Sequence, residues 1–483
     1  MPMRRITLIP PRPAEAAAGV DSTALRHAFA AIRAELKVPE GFPADVLAEA
    51  DAAVASVTLP ERDETALGFF TIDPPGSRDL DQAMFLERSG AGYRVRYAIA
   101  DVPAFVAAGG ALDAESRRRG QTVYAPDQRT PLHPERISED AASLLPGQVR
   151  PAFVWDMRLD ADGEETSVDV YRAMVRSTER LDYAGVQQSI DSNGADEGLQ
   201  LLKEIGELRI ALERQRGGAN LPMPEQQVTV DDQGRYHLQF RPPVPAEDWN
   251  AQISLMTGMA AAEMMLHADV GILRTMPEPD HQVLARFRRQ ARALGVVWPA
   301  EVLYGEFLRS LDRTDPRHLA LIHEATVLFR GAGYTPFVGA VPELSLHAAV
   351  AAPYAHVTAP LRRLVDRFGL MVCEALCAGT DVPQWVTQAL PVLPEAMASS
   401  DRQAGAVERA CTDAVEAASL RHRLGEVFEA VVVDVSDHGP ALVQVAEPAI
   451  LAPCGGTVSL GDSVRARLVE ADIERRSVRF EVG

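Results

Sequence analysis

Residues 69–83 read FFTIDPPGSRDLDQA and place three aspartates, Asp73, Asp79 and Asp81, behind an apolar run typical of a strand. An extended backbone points the side chains of Asp79 and Asp81 to the same side, and the Pro-Pro-Gly turn can fold Asp73 back toward them. Carboxylates this close repel each other unless a cation lies among them, and oxygen ligands suit Mg²⁺ or Mn²⁺, not zinc. The pattern therefore indicates phosphoryl transfer or phosphodiester hydrolysis. The alternative is an acidic turn that is stiffened by calcium or simply solvated.

Further motifs follow this block in order along the chain. They are YRVRYAIADVPAFV (93–106), the segment that runs from RRRGQTVYAPD to GQVRPAF (117–153), ERLDYAGVQ (179–187), NAQISLMTGMAAAEMML (250–266) with RTMPEPD (274–280), and YAHVTAPLRRLVDRFG (354–369). Together with the aspartate block, these motifs resemble the RNB catalytic domain of the RNase II family over roughly residues 66 to 400.

The resemblance implies a metal site. Asp73, Asp79 and Asp81 match three of the family's four active-site aspartates, and the fourth position is Gln82 in this chain. An amide oxygen can coordinate a hard cation but brings no charge, so we expect Gln82 to be a weaker metal ligand than the three carboxylates. Mg²⁺ is the expected cofactor, with Mn²⁺ as a substitute.

The resemblance also implies residues that contact RNA. Arg362 matches the arginine that contacts the scissile phosphate, where a guanidinium can form a fork on phosphate oxygens. Tyr124 and Tyr183 match aromatic positions that line the RNA path. The remaining expected RNA-binding residues lie in or next to the arginine motif and are Arg363, His356 and Thr358. Without the resemblance, TAPLRR would read as an ordinary helix start, and each tyrosine as a core residue.

The net charge of −20 is unfavourable for a nucleic-acid partner, because lysines and arginines that neutralise phosphates supply most of such affinity. The distribution of charge matters more than the sum. Arginines cluster at 117–119, 286–292, 362–363 and 465–479. Such clusters are usually solvated faces, and only the resemblance draws those at 117–119 and 362–363 toward a substrate.

The first of three predicted domains is a small helical module at residues 1–60. Leu25, Phe29, Ile32 and Leu36 recur there at helical spacing, and a second helix follows. One interpretation is a helix-turn-helix, and the other is a helical brace across the catalytic domain.

The second domain, residues 61–420, is the expected RNB catalytic domain, which combines a twisted sheet with surrounding helices in an α+β fold. The third, residues 424–483, contains short β runs between Gly, Pro and Asp turns and resembles an S1-type OB barrel. Its only aromatic residues are Phe428 and Phe480, so base stacking should contribute little to its grip on RNA.

We therefore predict a Mg²⁺-dependent hydrolytic exoribonuclease that degrades single-stranded RNA from 3′ to 5′ and releases 5′-mononucleotides. Polarity and products come from the resemblance. Two alternatives stay open, a catalytically inactive RNB-fold protein that binds RNA and a phosphodiesterase for short oligonucleotides. Structured RNA with a 3′ overhang is a further expected substrate. No apolar run reaches the length of about 18 residues that a membrane span needs, so we expect a cytoplasmic protein. We also expect it to be a monomer.

Overall fold

The computed structural model describes residues 5–8, 20–223, 225–230, 236–241, 243–435 and 439–483. In these residues the strands are β1 (Arg5–Leu8), β2 (Phe69–Ile72), β3 (Gln82–Ser89), β4 (Gly92–Ala100), β5 (Val123–Tyr124), β6 (Arg129–Thr130), β7 (Val149–Leu159), β8 (Glu165–Leu181), β9 (Glu225–Val230), β10 (Tyr236–Arg241), β11 (Val270–Thr275), β12 (Gly333–Val338), β13 (Val427–Asp434), β14 (Ala441–Val445), β15 (Ile450–Gly455), β16 (Ser463–Asp472) and β17 (Ser477–Val482). The helices are α1 (Val20–Glu35), α2 (Ala44–Ser56), α3 (Ala111–Arg119), α4 (Tyr183–Asp191), α5 (Glu197–Arg216), α6 (Pro245–His267), α7 (His281–Ala293), α8 (Tyr304–Arg309), α9 (Pro316–Glu324), α10 (Leu364–Ala378), α11 (Gln384–Ala389) and α12 (Leu393–Leu420). None of these helices combines the length and the apolar character that crossing a membrane requires.

The central element is a closed barrel with the strand order β2-β3-β4-β7-β8. Its strands pair antiparallel except where β2 runs parallel to β8 and closes the barrel. Tyr97, Phe153 and Trp155 are completely buried in the main hydrophobic core, together with residues of α5, α6 and α10. The helices that wrap this barrel confirm the predicted α+β class.

The carboxyl-terminal segment forms a second closed barrel with the strand order β13-β14-β15-β17-β16. Its two aromatic side chains, Phe428 and Phe480, are both buried and pack edge to face with ring centroids 5.6 Å apart. The predicted OB-like barrel is therefore present, and its aromatic rings fill its core instead of forming a surface on which bases could stack.

The amino-terminal helices pack into different parts of the molecule. Leu25, Phe29 and Ile32 of α1 belong to a core shared with α12 and the second barrel, whereas Val46 and Ala50 of α2 belong to a core shared with strands of the first barrel. This arrangement supports the brace interpretation over a self-contained helix-turn-helix. Residues 1–4 and 9–19 of the predicted module lie outside the described residues, and the domain boundaries stay predictions.

Candidate active site

The three predicted aspartates lie on the loop between β2 and β3, residues 73–81, which we call the acidic loop. The loop turns at Gly76, whose φ of +87° favours glycine. Leu80 is completely buried, and its amide donates to Ser143 Oγ at 2.9 Å. Because Leu80 points into the core, the alternation of an extended chain turns Asp79 and Asp81 to the opposite side.

A second loop, residues 356–363 just before α10, meets the acidic loop, and we call it the arginine loop. The amide of Leu361 donates to Asp81 Oδ1 at 2.7 Å. Arg362 Nε lies 3.8 Å from Asp81 Oδ2, and its side chain is 47% exposed. The fold thus brings together residues that are 280 positions apart and leaves much of the guanidinium open to a ligand.

Burial dominates the electrostatics of the carboxylates. It raises the pKa of Asp73 to about 7, and the charge of Asp79 adds to the shift. It also raises the pKa of Asp81 well above the ordinary value, although the Arg362 charge opposes this. Asp73 Oδ2 is buried without a hydrogen-bond partner. These two carboxylates are therefore short of positive charge.

Asp79 is held differently, by Tyr124 and by Arg129, of which the motif analysis singled out only Tyr124. Its Oδ1 accepts a hydrogen bond from Arg129 Nη1 at 2.7 Å, and its Oδ2 accepts a longer one from the Tyr124 hydroxyl at 3.4 Å. Arg129 also forms an ion pair with Glu139, which lies in a single π-helical turn, Ile137–Ala141. Arg129 stands in the motif APDQRTP, and its position in that motif was the only available signal.

The three carboxylates do not form a preorganised cage. Among the described residues, no group of three or more His, Cys, Asp or Glu side chains has the geometry to hold a metal ion. The donor set nevertheless fits a magnesium ion, which commonly takes one or two carboxylates and completes its shell with water and substrate phosphate. An unpaired carboxylate oxygen on Asp73 and raised pKa values of Asp73 and Asp81 are expected of carboxylates that would bind a cation.

Gln82, the expected fourth ligand, has both ends of its amide in hydrogen bonds. Nε2 donates to the carbonyl of Thr358 at 2.6 Å, and Oε1 accepts from the Tyr97 hydroxyl at 2.7 Å. The amide oxygen is therefore not presented as a free ligand.

Both loops line one cavity of about 650 Å³. Its wall includes Asp73, Asp79, Asp81, Gln82, Tyr124, Arg129, Tyr183, Arg274, Tyr334, His356, Arg362 and Arg363. The expected aromatic residues Tyr124 and Tyr183 thus lie beside the aspartates. Burial raises the pKa of Tyr183 to about 12, so its hydroxyl stays protonated at neutral pH.

Tyr334 and Arg274 form a part of the wall that the sequence analysis did not identify. They are paired neighbours on β12 and β11, and the guanidinium of Arg274 lies 4.7 Å from the Tyr334 ring centroid. Arg274 opens the motif RTMPEPD, but no pattern marked Tyr334. The hydroxyl of Tyr334 hydrogen-bonds His356 Nδ1 at 2.7 Å, and burial and the nearby Arg363 hold the pKa of His356 far below its usual value.

The other two expected RNA-binding residues have structural partners. Arg363 Nη2 donates to Asp366 Oδ1 at 2.7 Å, and Asp366 Oδ1 also accepts from the amide of Ala359. Thr358 is only 6% exposed, and its carbonyl accepts from Gln82. These contacts support a role in shaping the arginine loop and give no support to direct RNA contact by Thr358.

The family follows from the sequence models that match the chain. The RNB domain matches residues 61–375, and the RNase II-type exonuclease C-terminal S1 domain matches residues 426–483. The chain belongs to the RNB-domain exoribonuclease family. The predicted RNase II-type resemblance is thereby confirmed.

Three proteins are similar to this chain in sequence or in fold. Ribonuclease R of Aquifex aeolicus is 27% identical over 495 residues, which cover 92% of this chain and 68% of that protein. RNase R of Mycoplasma genitalium in complex with ribose-methylated single-stranded RNA superposes with a TM-score of 0.85 at 18% identity and covers 95% of this chain and 78% of that one; its complex with double-stranded RNA gives 0.82 at 19% identity, with 95% and 83% covered. Yeast Ssd1, a pseudonuclease, superposes with a TM-score of 0.65 at 17% identity over 85% of this chain and 52% of its own.

One expectation for this RNB protein needs correction. The arginines at 117–119 were drawn toward the substrate by resemblance, but none of them lines the cavity. Arg119 is buried and donates to Glu115 at 2.7 Å, and Arg118 pairs with the same carboxylate. Arg117 pairs with Asp113. The cluster neutralises acidic residues of α3 itself, because i, i+3 and i, i+4 spacing places opposite charges side by side on a helix.

Proposed function

We propose that this RNB protein is a Mg²⁺-dependent hydrolytic exoribonuclease that shortens single-stranded RNA from 3′ to 5′ and releases 5′-mononucleotides. The observation that carries the proposal is the meeting of the acidic loop with Arg362 at the wall of one cavity. Polarity and product class rest on the family resemblance. The cytoplasmic location and the monomeric state stay predictions.

Asp73, Asp79 and Asp81 are the residues that would hold the cation. A bound divalent ion supplies charge for the phosphate oxygens and lowers the pKa of a water molecule, so hydrolysis needs no side-chain base. His356 fits this scheme because its depressed pKa and its bond to Tyr334 leave it neutral and engaged.

Arg362 would bind the scissile phosphate. Its side chain is 47% exposed, and its closest acidic partner is the Asp81 carboxylate at 3.8 Å, a long contact for an ion pair. A guanidinium in this position can place parallel N–H donors on phosphate oxygens and stabilise the charge that develops during in-line attack.

Tyr124 and Tyr183 would position the terminal nucleotides. Both rings stand at the same wall as the aspartates, and stacking on an aromatic ring does not depend on base identity. A cavity of about 650 Å³ is in the size range of sites that hold one small ligand, which fits the end of a single strand better than a duplex. These features support a substrate that enters as an unpaired end.

A catalytically inactive RNA-binding protein is the second candidate. Gln82 replaces the fourth acidic position, and the pseudonuclease Ssd1 shares the fold. The fold alone therefore does not decide between the two functions.

One experiment separates the candidates. The purified protein is incubated with Mg²⁺, Mn²⁺ or EDTA and with poly(A) labelled at either end, and in parallel with a pentanucleotide. We expect a labelled mononucleotide as the first product from 3′-labelled RNA and a shrinking ladder from 5′-labelled RNA, only with metal. Binding without cleavage would identify the inactive protein, and cleavage of the pentanucleotide alone would identify an oligonucleotide phosphodiesterase.

A further inference from the structure

We propose that Gln82 is a positioning residue, which ties the acidic loop to the arginine loop and thereby holds Arg362 beside Asp81, and that it is not a metal ligand. The proposal rests on the function proposed above for what the tie accomplishes. The connection between the two loops follows from the hydrogen bonds themselves and does not depend on that function.

Gln82 connects parts of the chain that are 276 residues apart. It is the first residue of β3 and follows Asp81 directly. Its Nε2 reaches the Thr358 carbonyl at 2.6 Å. Its Oε1 receives the Tyr97 hydroxyl at 2.7 Å, and Ser254 Oγ lies 2.7 Å from that same hydroxyl.

The surroundings of Gln82 are complementary to an amide and not to a carboxylate. One side offers a donor, the Tyr97 hydroxyl, and the other side offers an acceptor, the Thr358 carbonyl. A carboxylate here would place oxygen against oxygen at Thr358. Tyr97 is completely buried and Thr358 is 6% exposed, so water cannot readily replace the lost donor.

Asp81 and Gln82 together attach the arginine loop at two points. Asp81 Oδ1 accepts from the amide of Leu361, and Gln82 donates to the carbonyl of Thr358. The loop has other contacts as well, since the carbonyl of Arg362 accepts from the amide of Thr122 and the amide of Ala359 donates to Asp366. The two bonds from the acidic loop, three residues apart, set how the arginine loop is oriented toward Asp81. Arg362 follows Leu361 immediately, so this orientation sets where the guanidinium stands, and small errors of placement are costly in a reacting complex.

The first test measures the loop itself. Gln82→Met keeps the volume but removes the donor, and Gln82→Glu keeps the shape but replaces the donor with an acceptor. Gln403→Ala serves as the matched control, because Gln403 also donates to a distant carbonyl, Leu36 O at 2.9 Å, but does not line the cavity. We expect hydrogen–deuterium exchange in peptides that cover 356–363 to rise in both Gln82 variants and to stay at the wild-type level in the control. If the exchange of that segment is unchanged in every Gln82 variant that folds, Gln82 does not hold the arginine loop and the proposal is wrong.

The second test asks by which route Gln82 acts on cleavage. We expect Gln82→Met to lower kcat by about tenfold, the equivalent of one buried hydrogen bond, with KM and the Mg²⁺ concentration for half-maximal rate unchanged. In an Arg362→Ala background the same substitution should cost less than about twofold, because contacts that act as a unit are not additive. If the two substitutions lower kcat by factors that multiply, or if Gln82→Met needs more Mg²⁺ for its half-maximal rate, Gln82 would instead be a metal ligand.

The two proposals fail in different ways. If the wild-type protein cleaves no RNA, the proposed function is wrong, while the exchange measurement still decides whether Gln82 holds the loop. If the wild-type protein cleaves RNA and the exchange of 356–363 does not respond to Gln82, the tie is wrong and the proposed function stands.

Discussion

Asp81 combines a structural contact with a charge that burial disfavours. Its Oδ1 accepts from the Leu361 amide, while Oδ2 faces Arg362 at 3.8 Å. Asparagine in its place keeps an oxygen for Leu361 but loses the negative charge. The two roles can therefore be separated by one substitution.

We predict that Asp81→Asn abolishes hydrolysis, with a loss of at least about 100-fold, the usual effect of removing a charge-stabilising group. RNA binding should be largely kept. Single-turnover cleavage and an RNA-binding titration measure the two quantities. Asp162→Asn, on the exposed turn between β7 and β8, is the control. Near-normal cleavage by Asp81→Asn would contradict its assigned role.

Arg362 should act on the rate more than on the affinity. We predict that Arg362→Ala lowers kcat by about 100-fold or more with a much smaller change in the Kd for RNA, because the charge it meets grows during attack on the phosphate. Arg362→Lys should recover only part of the rate, since an ammonium cannot form the two-pronged contact.

The control for Arg362 is Arg118→Ala. Arg118 has a 56% exposed side chain that pairs with Glu115, away from the cavity. Equal losses of rate and affinity in Arg362→Ala would indicate a simple binding residue.

Among the elements, the hairpin of β7 and β8 carries a partly buried glutamate, Glu165, whose pKa is shifted. Burial raises the pKa of Glu165 to about 7, and the charge of Glu263 on α6 adds to the shift, while Arg209 on α5 opposes it. In the unfolded chain a glutamate titrates at about 4.3. Between these two values the folded protein holds a proton that the unfolded chain releases.

The free energy of unfolding should therefore fall as the pH rises through this window, by at most about 1.4 kcal/mol per pH unit from this group. We predict that Glu165→Gln raises the thermal midpoint relative to wild type at pH 8 and changes it little at pH 4. Thermal melts at both pH values measure this. Glu207→Gln, an exposed position on α5, should have no such effect. Parallel pH profiles for Glu165→Gln and the wild type would show that Glu165 does not titrate as stated.

The amino-terminal helices show how far an element can be predicted alone. The spacing of Leu25, Phe29 and Ile32 predicted α1 correctly, and all three side chains are buried. Spacing shows which face is apolar but not what covers it. The covering partners come from distant parts of the chain, among them Tyr236 of β10, whose ring packs against Phe29, and helix α12.

At the scale of the whole molecule, the net charge of −20 coexists with a site for a polyanion. Many arginines are used internally, as Arg94 with Asp156, Arg172 with Asp101 and Arg367 with Asp113. Arg362 differs because its carboxylate contact is long and its side chain is half exposed. The field that a phosphate meets depends on such local exceptions more than on the sum.

The packing of the amino-terminal helices leads to a prediction about structured RNA. In the described residues before β2, the chain forms β1, α1 and α2, and these helices lie against the two barrels. The resemblance to the RNase II family implies cold-shock-type β barrels at this position, which would be a bulkier cover than the described helices. We therefore predict that the protein shortens the 3′ overhang of a duplex further than a relative with such barrels does before it stalls.

Duplexes with 3′ overhangs of graded length, resolved on a sequencing gel, measure the stalling distance. A blunt duplex is the control and should remain intact, because it offers no unpaired 3′ end to the proposed site. Stalling at the same distance as in the cold-shock-bearing relative would contradict the prediction.

The sequence by itself determined the chemistry that is available and the order of the motifs. Three carboxylates two to eight positions apart were identified from residue type and alternation, which are local properties, whereas the distant arginine motif and the two tyrosines were identified only through the resemblance to the RNase II family. Periodicity indicated a mixture of strands and helices for the same reason, and the resemblance to an S1-type OB barrel implied the carboxyl-terminal barrel.

Only the tertiary structure decided what these residues touch. It placed Leu361 and Arg362 beside Asp81. It bonded the amide of Gln82 to Thr358 and Tyr97, and it paired the arginines at 117–119 with acidic residues of their own helix. Hydrogen-bond partners and burial depend on contacts between distant segments, which are 280 residues apart for Asp81 and Leu361. Short-range patterns carry no information about which of these segments will meet.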